Sequence, residues 1–142
     1  MRDFCEGFMN KVIDKLAWIY IKDGKFLTVR SKGKVLFYLP GGKRELGESD
    51  EQALVREIKE ELSVDLCLNT IHYANTFVAQ ADGKESGVSV QLTCYFAEFT
   101  GELAADAEIE ELKFVDQTDL SVCSLATVVT MDWLIEENRL TV

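Results

Sequence analysis

The sequence predicts an α+β fold in which a mixed β-sheet is packed between helices. Segments rich in β-branched and aromatic residues occur early in the chain and return after its middle. Two other segments, one central and one near the C-terminus, space their apolar residues as helices do. Strands and helices in this order are typical of layered domains that share one hydrophobic core.

A β-hairpin is predicted near the N-terminus. Residues 16–21 and 25–30 are rich in strand-forming residues, and Asp23-Gly24 between them is a strong hairpin-turn signal. After a loop, Val35 to Leu39 is predicted to form a short apolar strand, which Pro40-Gly41-Gly42 ends. The first three elements are therefore expected to be strands.

The central segment, residues 50–62, is predicted to be a helix. It contains no glycine or proline, and its apolar residues recur every four positions from Leu54 to Leu62. Ser49 is expected to be the N-cap, and Gln52 three residues later completes a capping box.

The second half of the chain is predicted to return to strands and to end in a helix. Residues 70–80 and 88–99 have β-rich composition, and residues 81–87 between them are turn-like. Residues 112–115 are expected to form one more strand, and residues 122–138 a closing helix. The candidate core positions of this helix are Val122, Leu125, Val129, Trp133 and Leu134.

Length and charge limit the function classes. A chain of 142 residues has the size of one domain, which is expected to cover residues 1–142. The formal net charge is -10 at pH 7. A negative field repels polyanions, so binding to long nucleic acids or to an anionic membrane is not expected. An anionic substrate needs a cation or a local basic patch to neutralise it.

Cysteine usage indicates a reduced, cytoplasmic protein. Cys5, Cys67, Cys94 and Cys123 form no CxxC pair, and one histidine, His72, does not suffice for a zinc cluster. The cysteines are expected to be buried as small apolar residues. The first residues carry acids where a secretory signal needs an apolar run, and no segment has 18 consecutive apolar residues.

The central helix carries three glutamates on one side. Successive residues turn by about 100°, so Glu57, Glu60 and Glu61 lie within roughly 100° of arc. Such a cluster is destabilising unless a basic group or a divalent cation offsets the repulsion. Carboxylate oxygens favour Mg²⁺ or Mn²⁺ over zinc, and Mg²⁺ usually shares its ligands with substrate phosphates. The pattern therefore indicates a site for a metal ion together with phosphate.

A glutamate-rich helix face is usually just solvated, but here it follows a fixed upstream pattern. The segment from Gly42 to Val64 resembles the Nudix box: Gly, five residues, Glu, seven residues, Arg-Glu, an aliphatic, any residue, Glu-Glu, any residue, Gly, an aliphatic. The matching residues are Gly42, Glu48, Arg56, Glu57, Ile58, Glu60, Glu61 and Val64. Ser63 stands in place of the usual glycine, so either it costs on the order of 1 kcal/mol in a left-handed conformation or the helix exit bends differently.

The resemblance implies a Nudix-type α/β/α sandwich with a mixed sheet between helices. By this similarity the metal ligands are Glu57, Glu60, Glu61 and the carbonyl of Gly41, and the ion is Mg²⁺, with Mn²⁺ as the alternative. Glu48 and Arg56 would orient the helix acids.

The resemblance also implies candidates for catalysis and substrate binding. The general base would be Glu61, which we favour at this point, or else Glu60 or a loop acid such as Glu108, and Arg56 would support the reaction. The implied substrate-binding residues are Arg30, Lys43 and Tyr38, the last as one of several aromatic candidates for stacking on a base, and Arg44 is a further phosphate candidate.

The implied function is Mg²⁺-dependent hydrolysis of a diphosphate bond in a nucleoside diphosphate linked to another group. The first substrate expected is a nucleoside triphosphate, canonical or oxidised, which would give a nucleoside monophosphate and pyrophosphate in a housecleaning role. Its partner would be a small nucleotide, and the protein a monomer or homodimer. The alternatives are a catalytically inactive Nudix-fold nucleotide sensor or interaction module, and a structural metal-binding protein.

Overall fold

The computed structural model describes residues 11–140, which form nine strands and two α-helices and confirm the α+β prediction. The strands are β1 (Lys11–Ile19), β2 (Ile21–Lys22), β3 (Lys25–Ser31), β4 (Gly41–Gly42), β5 (Asp65–Leu66), β6 (His72–Gln80), β7 (Val88–Phe96), β8 (Phe99–Thr100) and β9 (Ile109–Val115). The helices are α1 (Asp50–Leu62) and α2 (Leu125–Glu136), and short 3₁₀ turns cover Leu68–Thr70 and Gln117–Val122.

The largest sheet is mixed, as predicted. Its strand order is β4-β1-β7-β6, with β1 and β7 parallel and the other pairs antiparallel. A second sheet has the order β2-β3-β9 and is antiparallel, and β5 pairs with β8. The predicted hairpin joins β2 to β3, where Asp23 and Gly24 both have positive φ (54° and 76°). Those angles suit the tight turn that twisted strands prefer.

The core has two parts because alternate residues of β1 face opposite sides of the sheet. Leu16 and Trp18 pack against α1 through side chains such as Leu54 and Ile58. Ala17 and Ile19 pack on the other side against α2, for example at Met131 and Leu134. The mixed sheet is thus covered by a helix on each face.

Helix α1 begins as the sequence predicts. The Oγ of Ser49 accepts a hydrogen bond from the backbone N–H of Gln52 (3.2 Å), and the side chain of Gln52 accepts one from the backbone N–H of Ser49 (2.9 Å). This capping box satisfies two backbone donors that no helical partner can reach, and an N-cap of this kind contributes about 1 kcal/mol.

The prediction of a strand over Val35 to Leu39 is wrong. Phe37 and Tyr38 form isolated bridges to two different neighbours, Cys123 and Val29, so neither side of the segment builds a continuous ladder. The predicted strand over residues 88–99 is interrupted as well, because β7 ends at Phe96 and Phe99 belongs to β8, which pairs with β5.

The core face predicted for the last helix is largely wrong. Of its five candidate positions Leu134 is fully buried and Trp133 is partly buried against the core, whereas Leu125 and Val129 are exposed (48% and 37%) and Val122 lies before the helix. The buried residues are Ala126, Thr127, Thr130, Met131 and Leu134. Two of these are threonines whose hydroxyls find backbone acceptors, such as the Ala126 carbonyl (2.9 Å from Thr130 Oγ1). A search for apolar spacing could not detect this polar buried face.

The cysteines follow the prediction in part. Cys94 and Cys123 are buried free thiols, as expected for small apolar residues, but Cys67 is half-buried. Cys5 lies outside the described residues. Neither α-helix of the described chain has the length and apolarity to cross a membrane.

Helix α1 ends at Ser63 in the left-handed conformation that the usual glycine would adopt (φ 63°, ψ 23°). Its N–H donates to the Lys59 carbonyl (3.1 Å), and its hydroxyl donates to Oδ2 of Asp106 (3.1 Å) in the loop before β9. That loop also caps the helix, because the Asp106 and Ala104 N–H groups donate to the carbonyls of Glu61 and Leu62 (2.9 and 3.0 Å). The serine therefore adds a side-chain tie that glycine could not make.

Substitutions at Ser63 are expected to separate strain from hydrogen bonding. Ser63→Ala keeps the left-handed strain and loses the bond to Asp106, so it should lower the midpoint of urea denaturation. Ser63→Gly loses the same bond but removes strain worth roughly 1 kcal/mol, so its free energy of unfolding should change by less than about 1 kcal/mol. Equal stability of Ser63→Ala and the wild type would show that the bond to Asp106 contributes nothing.

Candidate active site

Two glycines bring the acidic side of α1 against the edge of the mixed sheet. Strand β4 pairs with β1 at Leu16 and Ala17. A Cβ at Gly41 would lie 2.0 Å from the Leu16 carbonyl oxygen, and one at Gly42 would lie 2.4 Å from Cδ of Glu57. Any larger residue would have to displace the strand or the carboxylate, so the close approach requires glycine at both positions.

Glu61 is the most buried acid of the site, with 7% of its surface exposed. Its Oε1 accepts a hydrogen bond from the Gly41 N–H (3.1 Å). Burial raises the pKa of Glu61 to about 8, and the nearby charges of Glu57 and Glu108 act in the same direction. Near neutral pH without metal, this carboxyl group is therefore largely protonated.

Arg56 connects the acids of the helix to the preceding loop. Its Nε and Nη2 donate to the Glu48 carboxylate (2.7 and 2.9 Å), and its Nη1 donates to Glu57 (3.1 Å) and Glu60 (3.4 Å). Nη2 also reaches the Lys43 carbonyl (3.1 Å). These bonds hold the pKa of Glu48 down at about 2, with the Arg56 side chain as the largest cause. These bonds fit the orienting role that the resemblance implies for Arg56 and Glu48, which stays a prediction.

Two opposing effects act on the pKa of Glu57. Burial is the largest cause of a raised pKa, whereas the hydrogen bond from Arg56 lowers it. Glu60, by contrast, has a half-exposed side chain that turns toward Arg56. The three helix glutamates are thus not equivalent.

A cleft of about 580 Å³ opens beside Glu57 and Glu61. Six of the residues predicted for the site line it: Tyr38, Gly41, Lys43, Glu57, Glu61 and Glu108. Glu60, Arg56 and Arg30 do not line it. The cleft also contains three lysines that the sequence analysis did not single out, namely Lys15, Lys34 and Lys84. The sequence held one signal that could have identified Lys15, because this lysine interrupts the apolar residues of strand β1.

Two arginines that were predicted to contact the substrate form ion pairs with acidic side chains of the protein instead. The guanidinium of Arg30 donates to Glu110 and Glu111 (3.0 Å each) and to the Lys34 carbonyl (3.1 Å). Arg44 pairs with Asp14 and Asp50, and the Asp50 carboxylate also accepts a bond from the hydroxyl of Tyr95 (2.6 Å). Arg44 thus fixes the loop before α1 to the sheet, and the substrate role of Arg30 stays a prediction.

The donor set suits a hard divalent cation by its chemistry. Glu57, Glu61 and Glu108 bring carboxylate oxygens to one cleft, and the Gly41 backbone lies beside them. Within residues 11–140, however, no three acidic, histidine or cysteine side chains already converge into a ligand cluster. Ion binding would therefore have to remove the proton from Glu61, so metal affinity should rise with pH.

The buried acid predicts a pH-dependent stability for the metal-free protein. The unfolded pKa of Glu61 is near 4.5 and the folded value is about 8, so the folded state binds its proton more tightly. This contribution disfavours folding progressively as the pH rises between those values. In EDTA, Glu61→Gln should be more stable than the wild type at pH 8, by about 4 kcal/mol, and this advantage should shrink toward pH 5.

Urea denaturation across this pH range measures the effect. Glu51→Gln, an exposed position on the same helix, is the matched control and should change stability little. A difference between Glu61→Gln and the wild type that is the same at every pH would show that Glu61 is ionised in the metal-free protein.

Comparison with known proteins gives concordant matches. The model of the NUDIX domain matches residues 14–132. The ADP-ribose pyrophosphatase of Methanocaldococcus jannaschii is 32% identical over 102 residues, which cover 70% of this chain and 59% of that protein. The CTP pyrophosphohydrolase of Escherichia coli is 33% identical over 100 residues, covering 67% of this chain and 70% of that protein.

A solved structure agrees in fold. The solution structure of the Escherichia coli ORF135 protein is 28% identical, has a TM-score of 0.69, and is matched over 89% of this chain and 91% of its own. The chain spans about three fifths of the length of the archaeal relative. The domain match includes the whole segment from Gly42 to Val64 that carries the resemblance. Members of this family generally need a divalent metal ion. This chain therefore belongs to the Nudix family and is a Nudix hydrolase.

Proposed function

We propose that the protein hydrolyses a nucleoside triphosphate, canonical or oxidised, to a nucleoside monophosphate and pyrophosphate, with Mg²⁺ as its ion. The observation that supports this most directly is the composition of the cleft. Glu57 and Glu61, whose carboxylates suit a metal ion, line the cleft. Lysines that suit phosphate line the same cleft. A volume of about 580 Å³ is in the range that holds one small ligand.

The metal would be held by Glu57 and Glu61 with the Gly41 carbonyl, and Glu60 is the further candidate once it leaves Arg56. A bound divalent ion supplies a more acidic water and takes up charge on the diphosphate oxygens. Arg56 and Glu48 keep the carboxylates oriented through the bonds described above. Lys43 and Tyr38, which line the cleft, would contact the substrate.

Glu108 is the general base that we favour among the three candidates. Glu61 is buried against the Gly41 N–H, and Glu60 turns toward Arg56. Glu108 is exposed and lines the cleft, and its carbonyl accepts a bond from the Lys32 N–H (2.8 Å) that helps to hold the loop. An exposed carboxylate at this position can accept a proton from an attacking water.

The curated relatives give two substrate candidates. One is named a CTP pyrophosphohydrolase, which supports a triphosphate, and the other an ADP-ribose pyrophosphatase, which makes ADP-ribose the second candidate. We also infer one domain over residues 1–142 that acts in the cytoplasm on small nucleotides, as a monomer or homodimer. The net charge of -10 supports a small substrate over long nucleic acid.

A hydrolysis panel tests the proposed function. It would include canonical and oxidised nucleoside triphosphates, ADP-ribose, other nucleotide sugars, dinucleotides and coenzyme A, each with Mg²⁺ or Mn²⁺, with products identified by mass. We expect a triphosphate to yield a monophosphate and pyrophosphate, and Glu57→Gln to lose most of the turnover because a metal ligand is removed. Nucleotide binding without any turnover would instead support the inactive-sensor alternative.

The base assignment has its own test. Glu108→Gln should lower kcat about 100-fold or more and leave KM within about threefold, because a general base acts in the transition state and contributes little to substrate binding. Glu102→Gln, an exposed acid of the same loop that does not line the cleft, is the control and should retain wild-type kinetics. If Glu108→Gln keeps its kcat, the base lies on α1.

A further inference from the structure

Lys15 occupies an unusual position in the mixed sheet. It lies on β1, where side chains on one face run Ile13, Lys15, Ala17 and Ile19. Ala17 and Ile19 are fully buried against α2, and Ile13 and Lys15 continue the same row into the cleft, where both are partly buried. A strand that follows its apolar pattern would carry an apolar residue at position 15. The lysine therefore brings a charge to the floor of the cleft.

Within the described residues no ion pair or hydrogen bond neutralises this charge, although Glu57 and Glu61 are near enough to favour it. Among residues 11–140, the side chain of Lys15 takes part in no ion pair or hydrogen bond, although lysines such as Lys25, Lys59 and Lys113 do pair with carboxylates. A partly buried ammonium without a bonded acceptor is costly in the free protein. A protein is expected to retain such a cost at a position where a bound ligand supplies the missing acceptor.

The register of β1 and β4 adds a second observation. The antiparallel ladder ends where Leu16 pairs with Gly42, and Lys15 and Lys43 are the next residues on the two chains, so both lysines lie near each other at the cleft. Like charges across strands repel each other, and an anion between them would reverse the sign of the interaction. Lys34 and Lys84 line the same cleft from two turns. A chain with a net charge of -10 thus gathers four of its 15 basic residues at one cavity.

We propose that Lys15 binds the phosphate chain of the substrate and, together with neighbouring Lys43, selects triphosphates over diphosphate diesters such as nucleotide sugars. The inference rests on the proposed function. A terminal phosphate carries a charge of about -1.5 to -2 near pH 7, which a nucleotide sugar lacks. The additional lysine beside Lys43 supplies the matching positive charge.

Three variants test the proposal. Lys15→Met removes the charge and keeps an apolar stem, and Lys15→Arg keeps the charge. Lys22→Met, on the exposed side of the hairpin, changes the net charge equally and is the matched control. Lys15→Met should raise KM for the triphosphate about tenfold or more, as expected for loss of a charged hydrogen bond, and should change KM for a nucleotide sugar far less. Lys15→Arg should recover most of the loss.

Calorimetric binding of inorganic tripolyphosphate in the presence of Mg²⁺ provides a readout that does not need turnover. Lys15→Met should bind it about tenfold more weakly than Lys22→Met does. Manganese affinity without phosphate, measured by electron paramagnetic resonance, should not weaken in Lys15→Met. A variant that binds manganese more tightly but keeps wild-type KM and tripolyphosphate affinity would overturn the proposal and make Lys15 a counter-ion of Glu57 and Glu61.

The outcomes separate this inference from the proposed function. If the wild type cleaves a triphosphate and Lys15→Met does so with unchanged KM, the inference about Lys15 fails and the proposed function stands. If the wild type cleaves no triphosphate yet Lys15→Met loses affinity for tripolyphosphate, the proposed function fails and the phosphate-binding role of Lys15 is retained.

Discussion

The close approach of α1 to strand β4 is the constraint on which the rest of the site depends. Gly42 leaves room for the carboxylate of Glu57, and Gly41 donates its N–H to Glu61. Acids that would be solvated on an open helix are thereby forced into a partly dry space, where burial raises the pKa of both. The same packing buries Leu54 and Ile58 against the sheet, so stability and function share one interface.

Charge compensation follows from that packing. Arg56 binds Glu48, Glu57 and Glu60 at once, so it neutralises two acids that do not line the cleft, Glu48 and Glu60, together with Glu57, which does. Inside the cleft, lysines from strands and turns lie near the acids, and among the described residues these lysines form no ion pairs with them. This division leaves the cleft capable of accepting both a cation and an anion, which a metal-dependent diphosphate hydrolase requires.

The sequence predicted the helix with its capping box, the hairpin turn and the mixed sheet, because local spacing and turn chemistry determine them. It did not predict that Arg30 pairs with Glu110 and Glu111, because this contact depends on the fold bringing together residues that are distant in sequence. The buried threonine face of α2 was missed for a similar reason, since its hydroxyls are satisfied by the backbone.

Ser63, where the chain departs from the family pattern, is connected to the loop before β9. The helix exit needs a left-handed residue, and serine accepts that strain while its hydroxyl bonds to Asp106. Asp106 also donates its N–H to the Glu61 carbonyl and lies two residues before Glu108. The C-terminal end of α1 and the loop that carries Glu108 are therefore held by one short network, so the usual glycine can be replaced without separating them.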